Sequence, residues 1–125
     1  MNLRRIFLLA LPVAVLAACG RQAPIGEGSG EFLGRGSLSE RALAIRRAGA
    51  GLGWTMQDVA PGRFRGTLNI RSHQAVVDIP YDTQRFSIRY VTSTNLNATP
   101  GTIHPNYNGW VQNLQGAIIR ESGLR

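Results

Sequence analysis

Between residues 63 and 92 apolar and polar side chains alternate with a period of two, the signature of strands that bury one face and wet the other. Phe64, Gly66, Leu68 and Ile70 interleave with Arg63, Arg65, Thr67, Asn69 and Arg71, entered from a Pro61-Gly62 turn. Ala75, Val77, Ile79 and Tyr81 set a second strand, and Phe86, Ile88, Tyr90 and Thr92 a third. The connections, at Ser72-His73 and Asp82-Thr83-Gln84, are short and therefore predict antiparallel hairpins. Trp54 and Met56 begin a fourth, edge strand before Pro61.

On either side of these strands the period lengthens to that of a helix. Ser37 with Glu40 fits the S-x-x-E capping box, and Leu38, Ala42, Ile45, Gly49 and Leu52 follow at helical spacing, which predicts a helix over residues 38–52 closed by Gly53. Ala48, Gly49 and Gly51 make it slim. Each interior glycine costs roughly 1 kcal/mol of helicity relative to alanine, so the helix needs close packing against something flat, and a sheet supplies that. Beyond a polar loop over residues 93–102, Tyr107, Trp110, Val111, Leu114, Ala117 and Ile118 recur at three and four residues, with Pro105 placed for a first turn. Helix, three or four antiparallel strands, helix is the order of an α+β fold: a two-layer sandwich with both helices on the apolar face of the sheet. Residues 37–122 are enough for a single small domain with one core.

The chain ahead of that domain carries an address. Arg4 and Arg5, an apolar stretch over residues 6–18 and the small pair Ala17-Ala18 have the three parts of a secretory signal, so residues 1–18 read as a signal peptide. A retained transmembrane helix fits poorly: thirteen residues rise about 20 Å against a hydrocarbon core of about 30 Å, and Pro12 interrupts them. A chain cleaved free of the membrane is the other rival. Leu16-Ala17-Ala18-Cys19, however, resembles the lipobox of bacterial lipoprotein precursors. That resemblance implies a diacylglyceryl thioether on Cys19, cleavage before it and acylation of the freed amine, by palmitate or a similar chain. At about 0.8 kcal/mol per buried methylene, two or three chains hold a protein at a bilayer for practical purposes permanently. Gly20 in place of an aspartate implies, by the rule of enterobacterial lipoproteins, sorting to the outer membrane, on its periplasmic side. Six glycines, Pro24 and Ser29 make residues 19–36 read as a flexible tether reaching about 20–25 Å, with Phe32 and Leu33 left to dock on the body or dip into the lipid interface.

Composition narrows the chemistry. The only cysteine is the one in the lipobox, which leaves none for a disulfide framework, a zinc cluster or a thiol nucleophile. There is no lysine, and the 107 residues from Cys19 onward hold twelve arginines against seven acids, a formal charge of +5. At a membrane surface that charge favours anionic partners such as lipid phosphates or lipopolysaccharide, while the compartment excludes nucleic acid. Arginine in place of lysine throughout reads first as a GC-rich genome.

Two groups of residues are candidate sites. Arg63, Arg65 and Arg71 on the first strand and Arg85 and Arg89 on the third are placed to project to one side of the sheet among Thr67, Asn69, Gln74, Asp78 and Ser87, with Val76 and Val91 between them. Arginine offers planar, bidentate donors to phosphate and carboxylate; the plain alternative is a solvated face whose charges deter aggregation. His104 and Asn108, at the start of the last helix, form the second group. Exposed N–H groups and a partial positive charge there favour anions, and the alternative is that Asn108 bridges to a loop while Tyr107 and Trp110 serve the core.

Catalysis finds little footing. His73 and His104 stand thirty-one residues apart without metal-ligand company, no G-x-S-x-G elbow occurs, and the glycine-rich segment lacks the lysine of a phosphate loop. Asp58, Asp78 and Asp82 each have arginines available as partners. The expectation is therefore a protein with no metal, no cofactor and no enzymatic activity.

Arg71-Ser-His-Gln-Ala-Val-Val-Asp-Ile-Pro-Tyr81, Phe86-Ser-Ile-Arg-Tyr90, Ser93-Thr-Asn-Leu96 and Ile103-His-Pro-Asn-Tyr-Asn-Gly-Trp110 together resemble a family of small proteobacterial lipoproteins of unknown function. The likeness spans most of residues 38–120 in order and pattern, and brings no activity with it. The expected function is a lipid-anchored envelope protein that binds or assembles another envelope component. A binder of lipopolysaccharide or another polyanion is the second expectation, and a hydrolase using His73 or His104 the third.

Overall fold

The computed structural model describes residues 22–124, so Cys19 and the leader lie outside the described residues. Among the described residues nine elements follow one another: β1 (Ala23–Pro24), β2 (Gly28–Glu31), α1 (Leu38–Gly51), β3 (Trp54–Ala60), β4 (Arg63–Ile70), β5 (His73–Pro80), β6 (Arg85–Thr94), β7 (Thr102–Ile103) and α2 (Pro105–Ser122). β3 to β6 form an antiparallel meander, as the alternation predicts, and the sheet order is β2-β6-β5-β4-β3. The fold is an α+β sandwich, with five strands in its main sheet where three or four were expected.

The extra strand comes from the segment expected to be a tether. β2 pairs with β6, Gly28 opposite Ile88 and Gly30 opposite Phe86, and β1 pairs with β7 in a small second sheet. The glycines are what admit β2 to this place. A Cβ on Gly28 would stand 3.0 Å from Val111 of α2, and one on Gly30 would stand 2.9 Å from Ile119 and 3.0 Å from the Phe86 ring. Glycine here is the inward-facing residue of an alternating strand, with Ser29 and Glu31 facing outward. Phe32 follows into the core, its ring 5.3 Å from that of Phe86, while Leu33 stays half exposed.

Both helices lie on one face of the sheet. α1 opens with the expected capping box: Glu40 N–H donates to Ser37 Oγ at 3.1 Å and Ser37 N–H to Glu40 Oε1 at 2.8 Å. It runs beside β3, from Leu38 near Asp58 and Pro61 to Gly49, which lets it come so close that a Cβ would meet Met56 Cε at 2.6 Å. Ile45 and Ala48 of α1, Tyr107, Val111, Leu114 and Ile118 of α2, and Phe64, Val77, Ile79, Phe86 and Ile88 of the sheet make the core.

One residue there is charged. Arg41 is 3% exposed and donates to three backbone carbonyls, of Thr83 (2.9 Å), Leu33 (3.1 Å) and Gly34 (2.9 Å), with its guanidinium 4.8 Å above the Phe32 ring. It thereby fastens α1 both to the segment after β2 and to the β5–β6 turn.

Candidate functional site

The face of the sheet away from the helices carries a row of side chains fixed by register. Arg65 on β4 lies opposite Asp78 on β5, and Asp78 opposite Arg89 on β6. Asp78 is taken by Arg65 in a two-bond fork, Nε to Oδ1 at 2.9 Å and Nη2 to Oδ2 at 3.1 Å. Those hydrogen bonds, and then the carboxylate's charge, hold the Arg65 guanidinium above its ordinary pKa. Arg89 is exposed, and among the described residues it has no carboxylate partner; the same is true of Arg63 at the edge of the face. Arg85 reaches Glu31 on β2 at 3.5 Å, with both side chains largely in water, where such a pair contributes little. Gln74 and Asn69 close the row at the opposite end with a 2.9 Å bond.

Arg71 departs from its expected place. β4 ends at Ile70, and Arg71 occupies the tight turn to His73 with φ +56°, at the end of the sheet and off its open face. A bulge also intervenes in β6. Val77 pairs with Tyr90 and Val76 with Thr92, so Val91 is the extra residue and Thr92 moves to the polar face, where alternation alone would have put it inside. Ser93 takes the inward register opposite Ala75, its hydroxyl 2.9 Å from that of Tyr90.

Around Arg85 and Arg89 the face dips into a shallow cleft of about 270 Å³, bounded also by Gly62, Pro80, Tyr81, Asp82 and Ser87. Asp82 is bonded away from it: Oδ1 accepts the N–H groups of Gln84 (2.7 Å) and Arg85 (2.8 Å). The Arg85 bond first, then that of Gln84, holds the carboxyl below the usual carboxylate range. Tyr81 and Asp82 were not among the expected site residues, although Asp-Thr-Gln after Pro80 is a legible turn signal. Asp58 pairs with Arg46 of α1, at 3.1 Å, on the helix side of the sheet.

The second candidate group makes hydrogen bonds within the fold. His104 caps α2, its Nδ1 accepting from Asn106 N–H at 3.2 Å, and its own N–H donates to Leu96 O at 2.9 Å. Asn108 is a clamp, with Oδ1 accepting from Gly26 N–H at 2.7 Å and Nδ2 donating to Pro24 O at 2.9 Å. Asn108 thus spends both its polar atoms on the chain itself, and His104 its Nδ1. His73 is bonded through Nδ1 to Asn95 O at 2.8 Å. Among the described residues, no group of three or more His, Cys, Asp or Glu is placed to hold a metal ion, and no helix is long and apolar enough to cross a membrane.

Comparison of the chain with protein-family models, with curated proteins and with solved structures gives no match. The class rests on the geometry alone: an α+β sandwich with helices on one side of its sheet and an open, arginine-bearing face on the other.

Proposed function

We propose that the chain is a lipid-anchored envelope lipoprotein whose body is a binding module without chemistry of its own, engaging carboxylate groups of another envelope protein through the open sheet face. The observation that supports this is the pairing along that face. Asp78 satisfies Arg65, which leaves the exposed Arg63 and Arg89 without a carboxylate among the described residues and Arg85 only in its solvent-exposed 3.5 Å pair with Glu31. Arg85 and Arg89 are four residues apart on one strand, so their Cα atoms stand about 13 Å apart. That spread, with Ser87 between and Val76 and Thr92 beside, suits separate carboxylates on a protein surface better than one small anion.

A photo-crosslinking residue at Ser87 in growing cells tests the reading. One envelope protein is expected in the crosslink, and Arg85→Glu with Arg89→Glu is expected to remove it; an unchanged crosslink in the double variant overturns the assignment of this face. The anchor has its own test: palmitate should label the mature protein and fail to label Cys19→Ser.

The cleft beside Arg85 and Arg89 favours a second reading, a polyanionic glycolipid such as lipopolysaccharide. Binding of that kind falls steeply between low and high salt. Salt-independent capture would exclude it.

A further inference from the structure

If Cys19 carries the lipid, the structure leaves almost no slack between it and the folded body. Gln22 is already against the domain, its Nε2 donating to Asn97 O at 3.5 Å. Ile25 N–H donates to Gly101 O at 3.1 Å, and the Asn108 clamp grips Pro24 and Gly26. Three peptide links separate Cys19 from Gln22, and fully extended they cover about 11 Å. The anchor is thus confined to one end of the molecule.

That end gathers the last turn of α1, the β4–β5 turn, residues 95–101 and the start of α2. It carries Leu52, 39% exposed, with half-buried Ile70 and Trp110 forming an apolar cleft over Trp54 and Leu68. Arg71 is exposed beside it on the turn. An amphipathic indole, an aliphatic side chain and an arginine are the residues that settle at the boundary between headgroups and acyl chains. The β5–β6 turn at the other end presents Asp82, Thr83 and Gln84, near the Arg85–Arg89 cleft.

We propose that this body lies directly on the bilayer through the end formed by Leu52, Ile70, Arg71, residues 95–101 and Trp110, held there by a link of three peptide units, with the Arg85–Arg89 end turned away from the lipid. The inference rests on the lipid-anchor reading above. It turns the open face into a surface standing edge-on to the membrane, with its cationic end farthest out.

Depth-dependent quenching tests it on the lipidated chain in vesicles of phosphatidylethanolamine and phosphatidylglycerol. Ala98→Cys and Gln84→Cys variants, each labelled with an environment-sensitive maleimide, place a probe on exposed positions at the two ends; Cys19 does not react because its sulfur is a thioether. Brominated lipid is expected to quench the probe at 98 at least twofold more than the probe at 84. Equal or reversed quenching in vesicles that carry the protein on flotation overturns the orientation alone. Failure to float, with no palmitate label, removes the anchor and the orientation with it.

Discussion

Arg41 and Thr83, forty-two residues apart, are joined by a 2.9 Å bond from Nε to the backbone carbonyl, and the two remaining bonds of the same guanidinium go to Leu33 and Gly34. One buried cation thus ties α1 to the two segments that flank the end of the β2–β6 pairing. Arg41→Ala would leave these carbonyls without their donor and open a void beside Phe32, at a cost of about 3 kcal/mol. Arg41→Lys is also expected to destabilise, because an ammonium cannot reproduce the planar fork. Urea midpoints measure both, and an alanine variant within 0.5 kcal/mol of the parent, roughly the scatter of a neutral surface change, would refute the role.

Gly49 sets helix propensity against packing. Alanine there gains up to about 1 kcal/mol of intrinsic helicity. Its Cβ would however meet Met56 Cε at 2.6 Å and Cγ at 2.8 Å, with Trp54 Cβ at 3.4 Å behind. Overpacking costs typically about 1–3 kcal/mol, so Gly49→Ala is expected to lower the thermal midpoint. Met56→Ala in the same chain should restore part of the loss, since it empties the space the new methyl needs.

Tyr107 is fully buried, and its hydroxyl has no hydrogen-bond partner among the described residues. Burial, and then the charges of Tyr90 and Glu27, push its ionisation far above the ordinary tyrosine value, so the phenol stays neutral. The ring earns its place through packing, edge-on to Tyr90 at 5.5 Å. Tyr107→Phe keeps that contact and removes an unsatisfied polar atom. It is expected to leave stability unchanged or raise it by up to about 1 kcal/mol; a clear loss in chemical denaturation would mean that the hydroxyl has a partner after all.

Asp82 gives the domain an acid-sensitive turn. Because its carboxyl is held below the usual range in the fold, its contribution is present above the ordinary carboxylate pKa of about 4 and is lost as pH falls through the lower, folded value. Asp82→Asn keeps an acceptor oxygen for Gln84 and Arg85 while removing the titration. Its deficit in thermal midpoint relative to the parent should therefore shrink between pH 7 and about pH 3. A deficit that is constant or widens over that range would contradict this account.

The elements that rest on local order are the ones legible in the residues. Strand alternation from Phe64 to Ile88, the Ser37–Glu40 box and the three-and-four spacing from Tyr107 to Ile118 predict β4, β5, β6, α1 and α2 within a few residues of where they stand. Even the thinness of α1 reads correctly as a sign of close approach to the sheet. What goes astray depends on partners far along the chain. Gly28 and Gly30 look like linker residues until Val111, Ile119 and Phe86 stand above them. Thr92 changes face only because β6 bulges against β5 at Val91.

The candidate site divides in the same way. A run of arginines on alternate positions announces a cationic face, but Arg65 is neutralised by an aspartate thirteen residues on, Arg71 is carried into a turn, and Asn108 is spent on holding Gly26. The amino-acid order by itself determined the class of fold and the handful of regular segments, because each of these depends on side chains within a few residues of one another. Only the tertiary structure decided which arginines remain outward and that the glycine-rich stretch supplies the fifth strand, because those outcomes rest on partners in other segments: Asp78 thirteen residues from Arg65, Asn108 eighty-two from Gly26, and β6 for β2.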